Sequence, residues 1–370
     1  MRKKYLWARE NYWLNIITII MTAISISQIS MFADDIQSSR EELYQFLKGS
    51  YPGAEYYGTS VSSVYSNFMG RTQAWYLLMI AGIIVISILL FRDMKAKETK
   101  EWICSLPLSR KEIFWHQWFR GMIAYTIPHA VFACGAMALY YQNRNWIYAR
   151  YLTDVSWKVL LSAEAPVQYV KLFFMIWLWA TACYSLFFLM QIICRNNLIA
   201  AMSGMGILYS PLYISQVVYR ILRYGSDETW ISKIFESLER YFLMVVHNGT
   251  EDAEYLYGNG YMDGSCFFIQ SYCVRIDQVI LILIVILGCT ALAYRYFHGM
   301  SDQKSEGIFS ALWIRYVILT GLGCCIGMGI FMNLIYYRGI GGKGMFLAGT
   351  VFFTAIFAVT VNRLMRRRGY

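Results

Sequence analysis

Apolar residues in this chain come in long runs, separated either by short segments rich in Lys and Arg or by longer polar stretches. The clearest runs are 76–91 (YLLMIAGIIVISILLF) and 279–294 (VILILIVILGCTALAY). A helix needs roughly 20 predominantly apolar residues to cross about 30 Å of hydrocarbon. That length predicts spans over approximately 13–33, 74–91, 116–141, 169–193, 197–219, 277–296, 313–336 and 345–362. The weakest is 197–219, which holds Pro211 and several Gly and Ser and reads as kinked or partly re-entrant. The first span carries Thr18, Thr22, Ser25, Ser27, Gln28 and Ser30. That much polarity predicts packing inside a bundle or beside a cavity.

Composition agrees with a membrane solvent. Of 370 residues, 58% are apolar and 15% charged, where soluble domains carry about 25% charged residues. The 30 Tyr and 12 Trp suit the membrane–water interface. The expected fold is an all-α integral membrane protein with about eight transmembrane helices. The start, Met1-Arg2-Lys3-Lys4 before an apolar stretch, is read as a retained first span, because 13–32 is too long for a signal-peptide core.

The net charge of +10 changes the picture only through its distribution. Basic residues sit at the ends of apolar runs and form no stripe, so no nucleic-acid partner is expected. With the N-terminus inside, 18 Lys and Arg fall in or beside the short inner segments, and fewer fall in outer segments of about twice the length. The positive-inside rule then predicts a multi-pass protein of the cell membrane with both termini cytoplasmic. Long external loops are expected over 34–73, 142–168 and 220–276. The third contains an amphipathic stretch, Trp230 to Val246, with apolar residues at helical spacing.

Candidate chemistry is sparse. The four His (116, 129, 247 and 298) are scattered without ligand spacing, and His129 is read as a side chain satisfied by a neighbouring helix. No Walker A loop, G-x-S-x-G or paired intramembrane carboxylate appears. No catalytic residue, cofactor or metal site is therefore expected on this chain. Of nine Cys, Cys266 and Cys273 fall in a long polar loop. They can form a disulfide if that loop faces an oxidising side, although two nearby Cys need not pair. Gly323 and Gly327 form a G-x-x-x-G pair, read mainly as packing within the chain.

The informative segment is loop 92–115, RDMKAKETKEWICSLPLSRKEIFW. A charged run turns apolar at Trp102-Ile103-Cys104, breaks at Pro107 and restarts at Ser109. Ser109 with Glu112 three residues on forms a capping box. This pattern predicts a short amphipathic helix, a kink and a capped helix entering the third span.

Ser105 to Phe114 (SLPLSRKEIF) resembles the SLP-x-x-R signature that follows the second span in ABC-2-type permeases. Gly121 and Pro128 extend the likeness toward the Ytr-type branch of Gram-positive bacteria, and Ser305-Glu306-Gly307 with Phe309 is similar to a further segment of that branch, with a shorter spacing. The resemblance implies a six-helix core, 1–296, with a C-terminal two-helix hairpin, 297–370. It implies that the loop docks on a separate ATPase through Lys97, Glu98, Lys100, Glu101, Trp102, Leu106, Pro107, Ser109 and Arg110. It also implies an ATPase dimer carrying ATP and Mg, and a second permease, identical or homologous. The expected function is ATP-driven movement of an amphipathic or cell-envelope substrate, and export is the direction the resemblance implies. The alternatives are a mechanical subunit relaying ATPase strokes without transport, and a membrane-embedded lipid-modifying enzyme.

Overall fold

The computed structural model describes residues 2–47, 64–95, 109–150, 166–223, 254–257, 266–269, 276–299, 312–334 and 343–367. Among them are eight α-helices, each over one predicted span: α1 Arg2–Leu47, α2 Val64–Lys95, α3 Arg110–Arg150, α4 Pro166–Ile193, α5 Asn197–Arg223, α6 Ile276–Gly299, α7 Leu312–Met332 and α8 Lys343–Arg367. Six carry stretches long and apolar enough to cross a membrane: Tyr12–Ser38, Trp75–Arg92, Arg110–Asn145, Tyr169–Ile193, Val279–His298 and Gly344–Arg363. In α5 and α7 the apolar stretches among the fully described residues are Asn197–Ser210 and Tyr316–Met332. This is a multi-pass helical membrane protein.

Helices extend further than hydropathy alone predicts. The loop expected from residue 34 is helical as far as Leu47. Its polar side chains bond along the helix, with Ser38 Oγ donating to the Asp34 carbonyl at 2.9 Å and Gln37 Nε2 to Glu41 Oε1 at 3.2 Å. Past residue 142, α3 continues to Arg150, and α4 opens on Pro166, a residue suited to the first helical position. Within 220–276 the chain forms an unexpected antiparallel pair, β1 Glu254–Tyr257 and β2 Cys266–Ile269, with Tyr257 opposite Cys266. Both segments are rich in the aromatic residues that strands favour. The stretch Trp230 to Val246 and Cys273 lie outside the described residues, so the Cys266–Cys273 pairing is not addressed. The fifth span is one continuous helix through position 211.

The contacts fall into two compact units, whose division passes through α2, α3, α4 and α6. The first comprises Met1–Ile86, Phe119–Ala182 and Val245–Leu283. Here α1 docks on α2 and α3 through glycines: Met21 fills the space beside Gly82, and Ile29 that beside Gly135. Ser25 is buried and donates to its own Met21 carbonyl and to Pro128 O of α3, both at 2.9 Å. The polar first span is thus only partly internal. Thr18 and Thr22 bond back to carbonyls four residues earlier, while Ser27 and Ser30 are exposed. Such back-bonding lets a hydroxyl tolerate an apolar environment without a partner helix. Within this unit side-chain bonds join α3 to α4. Tyr125 Oη donates to Thr181 Oγ1 at 2.9 Å, Trp177 Nε1 to Thr126 Oγ1 at 3.1 Å, and His129 Nε2 lies 3.0 Å from the Phe173 carbonyl. A carbonyl only accepts, so Nε2 carries the proton; Nδ1 is buried without a hydrogen-bond partner among the described residues, so His129 is satisfied by its neighbour at one ring nitrogen only.

The second unit comprises Ser87–Trp118, Cys183–Met244 and Ile284–Tyr370. Its C-terminal hairpin joins α7 to α8 by close backbone approach. A Cβ on Gly323 would sit 3.3 Å from Thr354 Cα, and one on Gly327 would sit 3.3 Å from the Thr350 carbonyl oxygen. The G-x-x-x-G pair therefore packs within the chain.

Candidate functional site

The charged loop 96–108 lies outside the described residues, and with it Lys97, Glu98, Lys100, Glu101, Trp102, Leu106 and Pro107. Its two ends, Lys95 on α2 and Ser109 ahead of α3, are described, and both are tied into the second unit.

At the α3 end the predicted capping box is present. The Ser109 amide donates to Glu112 Oε2 at 2.8 Å, and the Glu112 amide donates to Ser109 Oγ at 3.2 Å. The hydroxyl also reaches Glu112 Oε2 at 3.0 Å, and the Ser109 carbonyl accepts the first helical bond, from Ile113, at 3.1 Å. Two amides without helical partners are thereby satisfied, and a carboxylate stands at the positive end of the helix dipole. Beside it, Arg110 Nη1 donates to the His298 carbonyl at 2.7 Å, covering the last turn of α6. A guanidinium on a helix C-terminus is favoured by the same dipole.

One turn on, Phe114 is fully buried and meets Phe188 of α4 and Tyr294 and Phe297 of α6 edge-on, at centroid distances of 5.5, 5.2 and 5.6 Å. Phe188 also packs against Phe91 of α2 at 4.9 Å. Edge-to-face rings at these spacings are favourable and hold direction as well as distance. The Tyr184 hydroxyl donates to the Trp118 carbonyl at 3.0 Å. The start of α3 is therefore wedged among three helices.

At the α2 end, Lys95 Nζ donates to Gln191 Oε1 at 2.6 Å. Gln191 is fully buried and sends its amide toward the Asn197 carbonyl at 3.4 Å. One side chain thus links the end of α2, the end of α4 and the start of α5. The Arg195-Asn196 turn between α4 and α5 is closed by Asn196, whose Oδ1 accepts from the Leu198 amide at 2.8 Å. Burial pulls the Lys95 ammonium down to about 8, offset in part by the adjacent Cys194. The Cys194 thiol is pushed up to about 11 by burial, against the opposing pull of Lys95 and a hydrogen bond with Ser203. No carboxylate among the described residues pairs with Lys95. Met94 is held by Gln117, whose Nε2 lies 2.8 Å from the sulfur.

Of the sequence-predicted site residues, Ser109 and Arg110 are thus placed at a capped, clamped helix start. Sequence reasoning missed Lys95, Gln191 and the His298 carbonyl. Gln191 had a signal, being an isolated amide in the apolar run FFLMQII. The carbonyl had none, because any helix end offers one. The parts of this arrangement bind, clamp and orient helix ends. Comparisons with protein-family models, curated proteins and solved structures find no match.

Proposed function

We propose that this chain is the membrane-spanning permease subunit of an ATP-binding-cassette transporter, moving an amphipathic or cell-envelope substrate with ATP hydrolysed on a separate subunit. The observation that carries the reading is the anchoring of both ends of the loop resembling the ABC-2 signature. A loop pushed from outside does work on a bundle only if its ends cannot slip. Lys95 is held to α4 through Gln191, and α3 starts on a capped turn clamped to α6 by Arg110. A displacement of the loop therefore reaches α2, α3, α4 and α6 together. In this reading the chain is not itself an enzyme, both termini and the loop face the cytoplasm, and the complex contains two ATPase subunits and two permeases.

The test is co-expression with an ATPase encoded beside this gene, followed by purification and hydrolysis assays. Trp102 is the apolar anchor of the loop and Lys97 a flanking charge. Truncating a buried aromatic anchor commonly costs about 2 kcal/mol or more, and rim charges cost less. Trp102→Ala is expected to weaken association or uncouple hydrolysis far more than Lys97→Ala. If neither Trp102→Ala nor Pro107→Ala alters assembly, hydrolysis or transport, the loop is not the coupling element.

A further inference from the structure

Helices α5 and α7 line an open groove of about 1260 Å³. The two helices pack together, and the lining spans Ile199 to Tyr213 on α5 and Val317 to Leu334 on α7. From Ile199 to Tyr213 the groove follows about 21 Å of helix. Its floor is open because Gly206 and Gly321 line it and a Cβ on either would meet nothing within 4 Å.

Tyr209 brings one hydroxyl to the wall, while the two serines along its length are spent internally. Ser203 is hydrogen-bonded to Cys194, and Ser210 donates to the Ile207 carbonyl at 3.3 Å. No charged residue lines the groove among the described residues. Two further polar groups meet near Gly329. The Tyr213 hydroxyl stands over Gly329, and Asn333 is one helical turn beyond that glycine. Neither the Tyr213 hydroxyl nor the Asn333 amide has a hydrogen bond among the described residues.

A bilayer offers such a groove two apolar occupants, a lipid chain or a neighbouring helix. A neighbouring helix has its backbone groups spent within itself, whereas the ester and phosphate oxygens of a lipid can accept from Tyr213 and Asn333. The space also exceeds the roughly 300–1,000 Å³ of ordinary small-molecule pockets. We propose that the groove holds the acyl chains of one membrane glycerophospholipid, with its phosphate–glycerol end hydrogen-bonded by Tyr213 and Asn333. Recognition rests on neutral donors, so the site accepts the lipid irrespective of headgroup charge. It stands whether or not an ATPase drives the chain.

The experiment uses the full chain in nanodiscs of phosphatidylcholine doped with a phosphatidylcholine bearing a diazirine on its acyl chain. After illumination, labelled peptides are mapped by mass spectrometry. Labelling of 199–213 and 317–334 is expected to exceed that of the other lipid-facing segments several-fold, with the same result for a phosphatidylglycerol probe. Gly206→Leu and Gly321→Leu add bulk where a Cβ meets nothing within 4 Å and are expected to abolish the excess. Gly288→Leu, which also meets nothing but lies on α6, is expected to leave it intact. Even labelling over the whole apolar surface, or an excess that survives both groove-filling variants, would overturn the proposal. So would a disulfide-linked dimer formed in the membrane through Met202→Cys, because a second copy would then occupy the groove.

Discussion

Two helix pairs in this protein are joined by opposite means. The α3–α4 pair is stitched by side chains, through Tyr125 with Thr181, Trp177 with Thr126, and His129 with the Phe173 carbonyl. The α7–α8 pair is joined where side chains are missing, with Gly323 and Gly327 letting the Thr354 and Thr350 backbone approach. Lipid supplies no hydrophobic drive between helices, so membrane proteins rely on small residues and on polar glue. The two seams differ in compliance. A hydrogen bond tolerates a few tenths of an ångström and survives loss of one member of a set. A backbone contact has no side chain that can move aside.

The largest effect is therefore expected at the glycine seam. Gly327→Leu would drive a branched side chain into the Thr350 carbonyl and the Phe353 ring. Overpacking a tight core commonly costs about 1–3 kcal/mol, and a backbone neighbour places this site at the upper end. A clear fall in thermal unfolding temperature in detergent is expected. Gly321→Leu, on the same helix but facing open space, should leave it unchanged. Equal losses from both variants would break the comparison, because the cost would then come from any glycine in α7.

The polar seam should give way more gently. Hydrogen bonds between transmembrane helices average about 0.6 kcal/mol in double-mutant cycles. Tyr125→Phe and Thr181→Val are each expected to cost about that much, and the double variant less than their sum, since both remove one bond. Additive losses would mean that the pair is not coupled, and the stitched-seam description would fail.

The smallest effect sharpens the comparison at a helix end, where a polar link carries charge. Lys95 is lowered to about 8 in the folded protein from its usual 10.5. Between those values the unfolded chain binds more protons than the folded one, so stability rises with pH across that window and is flat below it. Reductive methylation with ¹³C, followed by NMR titration of the full chain, is expected to show one lysine with a midpoint near 8. Gln191→Leu removes the ammonium's hydrogen-bond acceptor and should move that midpoint lower still. A Lys95 midpoint near the ordinary lysine value would remove the buried-link description.

Much of this architecture was legible in the chain. Every predicted span falls on a helix, because apolar run length alone fixes which segments must hide their backbone polar groups within helices. The capping box at Ser109 and Glu112 was readable because its geometry is local. What composition could not give was partnership. Ser25 and Ser27 are both serines on the first span, yet one is buried against Pro128 and the other exposed. Only the angular position around α1 and the placement of α3 separate them. The helical extension to Leu47 escaped hydropathy because polar helices carry no apolar signal. Gln191 was visible as an oddity, but its partners Lys95 and Asn197 lie on two other helices.

The central claim, that the loop after α2 is where force enters, is tested most directly by position-specific cross-linking. A photoreactive phenylalanine analogue placed at Trp102 in the intact complex is expected to cross-link to the ATPase chain upon illumination. The same analogue at Tyr257, on the predicted opposite face of the membrane, should give no such product. Cross-linking of Tyr257 to the ATPase, or its absence at Trp102 in a complex that still hydrolyses ATP and transports, would contradict the account.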